Sequence, residues 1–322
     1  MNQFSYVNAT SLKEATAALG SSWSEAVVLA GGTDILSLMK DYVMSPARLV
    51  NIKNIKELSG ISKSGAGLRV GATVTFDELA NNAMVRQMFP SLTQAAMGVS
   101  SPQIRNMGTV GGDLCQRPRC WYFRLGHGVL GQKDGKSLVA EGENKYHAIF
   151  PQGAAHFVSA SSLGPALVAL GAKVKLVSAS GSREVDAAKF FVAPQSSDAR
   201  EIALLPNEIR TEILIPAGGK NATYEVRQKD ALDWPLATAS VNLTMKGNTV
   251  SAANIVLGHV GPTPYHAAGA EKVLIGKTIT ADLAMAVGDA AVQGAKPLSQ
   301  NAYKIQLARV AVKRALLQAA GV

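Results

Sequence analysis

A chain of 322 residues with 47% hydrophobic and 17% charged side chains can bury a large core and divide into two or three domains, as an ordinary globular protein does. Its net charge of +9 comes from Lys and Arg spread along the chain without a basic run or interleaved aromatics, which argues against nucleic acid and for solubility or an acidic partner surface. No stretch approaches about 18 consecutive apolar residues, and the start MNQFSYVNATSLKEA lacks a basic region followed by an apolar one, so neither membrane insertion nor export by its own leader is expected.

In chain order, FSYVNA (4–9) reads as a strand and SLKEATAALG (11–20) as a helix, with Ser11 and Glu14 at capping-box spacing and Gly20 placed to stop it. The strand AVVLA (26–30) runs into Gly31, Gly32, Thr33 and Asp34, then into a helical pattern through Lys40, and ARLVNI (47–52) is a third strand. This alternation predicts a small α/β lobe at about residues 1–56, with the glycine loop at a strand's carboxyl end, where α/β folds bind ligands. No GxGxxG follows a strand, so the lobe is not the usual dinucleotide fold. LRVGATVT (68–75) is strand-like, whereas FDELANNAMVRQM (76–88) and PSLTQAAMGV (90–99) have helical spacing. They lead into a second glycine loop, QIRNMGTVGGDL (103–114). Residues 114–158 are rich in glycine, charge and aromatics with little periodicity, and loops this long are uncommon unless functional. Regular structure returns from Pro165 to Phe191, and strand-like EIRTEILIP ends the first unit near Pro216, with PAGGKN as a linker. Residues 217–322 begin with strands (TYEVR, TASVNLTM, AANIVLG) and end with helical patterns in which Ile305, Val312 and Leu316 share a face, an α+β arrangement. Thr238, Ser240 and Asn242 alternate along one of those strands and line one face.

The two glycine pairs carry the chemistry. Glycines without Cβ atoms let successive N–H groups converge on an anion, and the hydroxyls of Thr33 and Thr109 add donors that a diphosphate accepts. Asp34 and Asp113 would repel phosphate, but a carboxylate accepts from ribose hydroxyls, so two such loops could clasp one dinucleotide. The bland reading of either loop alone is an ordinary turn.

AGGTDIL (30–36) and GTVGGDL (108–114) resemble the two FAD-binding loops of the medium, flavoprotein subunit of the molybdenum hydroxylases, the group of xanthine dehydrogenase, aldehyde oxidoreductase and carbon monoxide dehydrogenase. The resemblance continues in order through ALVALGAKVKL (166–176), LLPNEIRTEILIP (204–216), DWPLATASVNL (233–243) and NIVLGHVGPTPYHAAGAEKVLIGK (254–277), nearly the whole chain. It implies an α+β protein: a two-lobed FAD-binding domain of the PCMH-like type at 1–216, with lobes at about 1–56 and 57–216, followed by a smaller α+β domain at 217–322. It also implies non-covalent FAD. Carried over residue by residue, the first loop is Val28, Leu29, Ala30, Gly31, Gly32, Thr33 and Asp34, and the second is Thr109, Gly111, Gly112 and Asp113. Ser100 would form a wall before the second loop, Gln116 and Arg117 would reach the flavin or an entering ligand, and Ile209 would pack against a ring or within the core. Two departures stand out. Where many relatives have an aspartate, this chain has Ser159 to Ser162, so Ser162 offers at best a hydroxyl to ribose; and Val226 and Lys229 stand where a lysine and an arginine are usual, with Arg227 as a substitute.

Cys115 and Cys120 are the only cysteines, in a segment where some relatives bind a four-cysteine iron–sulfur cluster. Two thiolates cannot hold such a cluster, so none is expected, and a zinc site with His127 or His147 lacks the paired motifs; reduced thiols are expected. GQKDGKS (131–137) has three residues between its glycines where a P-loop has four, and reads as a charged turn. No HExxH or GxSxG occurs. Flavin chemistry needs no such apparatus, because the ring itself accepts and gives electrons. The resemblance therefore implies an electron-transfer subunit that takes electrons from a two-iron two-sulfur small subunit, beside a molybdopterin large subunit, and passes them to an external acceptor such as NAD, ferredoxin, oxygen or a quinone. A cytoplasmic location is expected, or a periplasmic one if a partner exports the complex. A self-contained flavin oxidase or dehydrogenase, and a flavin-free assembly protein, are the alternatives.

Overall fold

The computed structural model describes all residues from Met1 to Val322. Its first unit is a parallel three-stranded sheet in which Arg48–Asn51 lies between Ser5–Asn8 and Ala26–Leu29, with helices Leu12–Ala17 and Ile35–Lys40 as the crossovers that parallel strands require. The Ser11 hydroxyl accepts from the Glu14 N–H, but the Glu14 carboxylate reaches back to Thr10 instead of Ser11. That helix stops at Ala17, before Gly20, and the Ala18 carbonyl accepts from Arg48 Nη1.

A five-stranded antiparallel sheet follows, in the order Ile61–Ser64, Gly67–Gly71, Ile209–Ile215, Lys173–Ser178, Gly181–Asp186. The helical stretch expected from Phe76 is split in two, Phe76–Asn81 and Ala83–Met88, because the Asn82 side chain accepts from the Met84 and Val85 N–H groups and so caps the second piece. Helices Phe76–Asn81, Pro90–Gly98 and Gly164–Ala169 cover the sheet over a core centred on Phe89, Leu92, Leu167, Leu176 and Ile213. The second glycine pair sits in a helical turn, Val110–Cys115, capped by Thr109, whose hydroxyl accepts from the Gly112 N–H at 2.9 Å. Residues 116–158 hold only short pieces, including a hairpin that pairs Gln132–Lys133 with Lys136–Ser137 across Asp134 and Gly135, both at positive φ.

The C-terminal sheet is antiparallel, in the order Lys220–Val226, Ala237–Lys246, Thr249–Gly258, Tyr265–His266. Helices Ala268–Leu274, Ala281–Ala291 and Tyr303–Ala320 pack on one face, where Val312 and Leu316 are buried and Ile305 partly so. The alternate positions face the first unit. Thr238 hydrogen-bonds His259, Ser240 bonds Thr223, and Asn221 accepts from the Ser91 N–H and donates to the Met88 carbonyl. The polar stripe of Thr238 and Ser240 is thus a buried seam, fully paired, as burial of hydroxyls demands. The mixed α+β architecture expected from the resemblance is the one observed. No helix is long and apolar enough to cross a membrane.

Candidate functional site

Apolar strand Ala26–Leu29 ends where its chain must turn sharply into helix Ile35–Lys40, and the turn is made by Gly31 and Gly32, the latter at φ +75. None of the main-chain N–H groups from Gly31 to Asp34 donates to a main-chain carbonyl. The loop lies against the segment that enters the second glycine turn, so closely that a Cβ on Gly31 would stand 1.9 Å from the Met107 carbonyl oxygen. Gly111 is equally constrained: a Cβ there would lie 2.3 Å from the Ala72 oxygen. Glycine is required at both places by close approach of the backbone.

Between these turns opens a cleft of about 340 Å³, within the usual range for small-molecule and cofactor sites. Val28, Ala30, Gly31, Gly32, Thr33 and Asp34 line it from the first loop, Thr109, Gly111, Gly112 and Asp113 from the second, and Ser100, Gln116, Arg117, Ser162 and Ile209 complete the set foreseen from sequence. Leu29 is the exception. It does not line the cleft and packs instead in the cluster of Val27, Met39 and Leu49. The side chains of Arg227 and Lys229 do not line it either; Arg227 pairs with the buried Glu225.

The two turns differ in what they present. In the second, the Gly111 N–H donates to the Ala72 carbonyl at 2.8 Å and the Asp113 N–H to that of Thr109 at 2.9 Å. The first leaves its amides without main-chain partners, in residues that line the cleft. Both aspartates expected to meet ribose hydroxyls are engaged within the chain. Asp34 accepts from the Arg117 N–H at 2.8 Å, from Arg119 Nη1 at 2.7 Å and from Arg124 Nη2 at 2.9 Å, which ties the first loop to the long irregular segment. Asp113 is 4% exposed and accepts from Ser161 Oγ at 2.5 Å, from the N–H groups of Ser162 and Leu163, and from Gln116 Nε2. Burial raises its pKa, opposed by those hydrogen bonds and by Arg210. The serine run at 159–162 therefore holds Asp113 as well as offering Ser162 to the cleft.

Several cleft residues escaped sequence reasoning. Arg119 lies over the Trp234 ring at 4.7 Å and Arg200 over the Trp23 ring at 4.5 Å, so two arginine–tryptophan stacks stand at the walls. Beside them Arg117, which the sequence had already placed here, is pushed down to about 10 chiefly by burial and pairs with Glu201 at 2.8 Å. Arg210 lines the cleft from the central strand Ile209–Ile215. The signal for Arg119 was available in its proximity to Gln116, but nothing local marked Trp23 or Trp234. Cys115 lines the cleft and Cys120 is buried with Sγ 3.1 Å from His147 Nε2; both are free thiols, and no group of three or more His, Cys, Asp or Glu side chains converges as a metal site would.

A narrow cleft, unpaired loop amides, basic walls and flat aromatic side chains suit a planar molecule carrying a diphosphate. Residues 2–218 match the FAD binding domain in molybdopterin dehydrogenase, and residues 222–319 match the CO dehydrogenase flavoprotein C-terminal domain. The chain is similar to the carbon monoxide dehydrogenase medium chain of Hydrogenophaga pseudoflava, 32% identical over 98% of this chain and 96% of that one. It is 29% identical to the aldehyde oxidoreductase FAD-binding subunit of Escherichia coli over 90% of each chain. Among solved structures, quinoline 2-oxidoreductase from Pseudomonas putida superposes with a TM-score of 0.78 at 26% identity, covering 99% of this chain and 98% of that chain.

Proposed function

This chain belongs to the family of FAD-binding medium subunits of the molybdenum hydroxylases, and from that premise we propose that it serves as the flavin station of a three-part complex. Electrons released from substrate at a molybdopterin large subunit would reach the cleft through a two-iron two-sulfur small subunit and leave it to an external acceptor. The observation that carries the reading is the cleft itself: a glycine turn whose amides from Gly31 to Asp34 lack main-chain partners, facing a second glycine turn held by buried Asp113.

FAD, when bound, supplies the ring that accepts and releases the electrons. The chain's own residues hold it. The amides of the first turn and the Thr33 side chain suit the diphosphate, Arg117, Arg119 and Arg200 give the walls a positive potential, and Trp23 and Trp234 exclude water with flat apolar faces. Ile209, 1% exposed, belongs to the buried cluster that includes Ala26, Val50 and Ile52 of the small lobe, and so ties the floor of the cleft to the lobe that carries the first turn. A boundary near Pro216 between the FAD-binding and C-terminal domains, and a cytoplasmic location in keeping with two unpaired thiols, belong to the same proposal.

The test is a visible absorption spectrum of the chain purified under mild conditions, with the chromophore identified after denaturation, followed by identification of what co-purifies. Bound FAD together with a molybdopterin and an iron–sulfur subunit is the expected result. A flavin-loaded chain that oxidises a small substrate unaided would overturn the complex, and a folded chain that takes up no added FAD would overturn the flavin.

A further inference from the structure

Arg210 sits on the central strand of the five-stranded sheet, 5% exposed, with its guanidinium against the second glycine turn: Nη2 lies 2.7 Å from where a Cβ on Gly111 would be. Its Nε and Nη1 are buried without hydrogen-bond partners. The other cleft arginines have carboxylates, Arg119 with Asp34 and both Arg117 and Arg200 with Glu201. Arg210 has no carboxylate within ion-pair distance, and Asp113, whose charge it senses, spends both oxygens on Ser161, Ser162, Leu163 and Gln116. A guanidinium removed from water and left without an acceptor is costly, and a leucine or methionine would fill the same space in a sheet without that cost. The charge therefore serves something that enters the cleft.

We infer that Arg210 is a binding residue whose guanidinium meets an anionic oxygen of FAD. The inference rests on the reading of the cleft as an FAD site. Two parts of the cofactor carry such an oxygen: the diphosphate, in every redox state, and the pyrimidine edge of the ring, once reduced. A hydrogen bond from a buried cation to a charged oxygen corresponds to a change in affinity of about tenfold to a hundredfold.

The experiment uses Arg210→Gln and Arg210→Lys beside the unaltered chain, and measures the thermal stability of each without flavin, the dissociation constant for oxidised FAD, and the flavin midpoint potential. The expected result is a glutamine variant that melts no lower than the unaltered chain yet binds FAD at least about tenfold more weakly, or shows a more negative potential, with lysine partly restoring the loss. Weaker binding at an unchanged potential assigns the diphosphate, because its charge is the same in both redox states. A lowered potential assigns the pyrimidine edge, because only reduction places the negative charge there. Unchanged affinity and potential in a folded glutamine variant would overturn the inference. So would a variant that fails to fold, because the charge would then be serving the apo structure. Failure of the unaltered chain to bind FAD in the same assay would instead sink the reading of the cleft itself.

Discussion

Replacing Asp34 by asparagine separates two roles for a residue that stands next to the first glycine turn. If the carboxylate exists to accept from a ribose hydroxyl, the flavin-free protein should not notice its loss. In the structure the carboxylate already accepts from the Arg117 N–H and from the guanidinium groups of Arg119 and Arg124, at 2.7 to 2.9 Å, with Asp34 and both guanidiniums no more than about a quarter exposed. Both guanidiniums bond Oδ1 and the Arg117 N–H bonds Oδ2, so asparagine with its oxygen on the guanidinium side keeps two of the three bonds without the carboxylate charge and sets its NH2 against the Arg117 N–H. One charge-assisted hydrogen bond lost at about 1.5 kcal/mol and two weakened by about 0.75 kcal/mol each give a loss of about 3 kcal/mol, roughly two decades in the folding equilibrium of the FAD-binding region. For a unit of this size that corresponds to a fall in melting temperature of roughly 6–12 °C. The assay is thermal or guanidinium denaturation of the flavin-free protein, with Asp41→Asn, an exposed neighbour on the same lobe, as control. An Asp34→Asn protein that melts with the unaltered chain and loses only FAD affinity would refute the reasoning and return the carboxylate to the cofactor.

Gly31→Val should cost stability as well as FAD affinity, since the new Cβ would stand 1.9 Å from the Met107 main-chain oxygen and the loop must move by about 1 Å to reach even a 3.0 Å contact; in the protein that remains folded, equilibrium titration should show at least a tenfold loss of FAD affinity, about 1.4 kcal/mol, and binding at the original affinity would show that the turn does not touch the ligand. Acid should destabilise the chain through two buried histidines: burial, aided by Lys304, pushes His259 down to about 3 and His147 to about 4 from 6.5. Between about pH 6.5 and 4 the unfolded chain binds protons that the native chain refuses, so these histidines contribute fully above pH 6.5 and lose that contribution as pH falls. The denaturation midpoint should decline over that window, and a folded His147→Gln, His259→Gln protein should show a shallower decline; an equal slope would rule out the two imidazoles as its source.

Much of this protein was legible one segment at a time. The glycine turns, the parallel lobe, the polar stripe of Thr238 and Ser240 and the apolar face of the last helix all follow from requirements that act over a few residues: φ freedom, strand alternation, helical spacing. Most of the cleft could therefore be named before its shape was known. Charge pairing was different. Asp34 finds Arg119 and Arg124 at separations of 85 and 90 residues, and Asp113 finds Ser161 at 48, so which acid meets which base was decided only when the lobes packed. Arg210 shows the same limit within a strand. Alternation sets it with Glu212 and Leu214, which are only partly buried, whereas Arg210 is 5% exposed and sits where the register shifts between Arg210 and Glu212. Sequence by itself determined where the chain turns and which residues are small enough to let a ligand approach. The tertiary structure decided which charges remain for that ligand, because a side chain is free to bind only after every neighbour brought by folding has taken its share of partners.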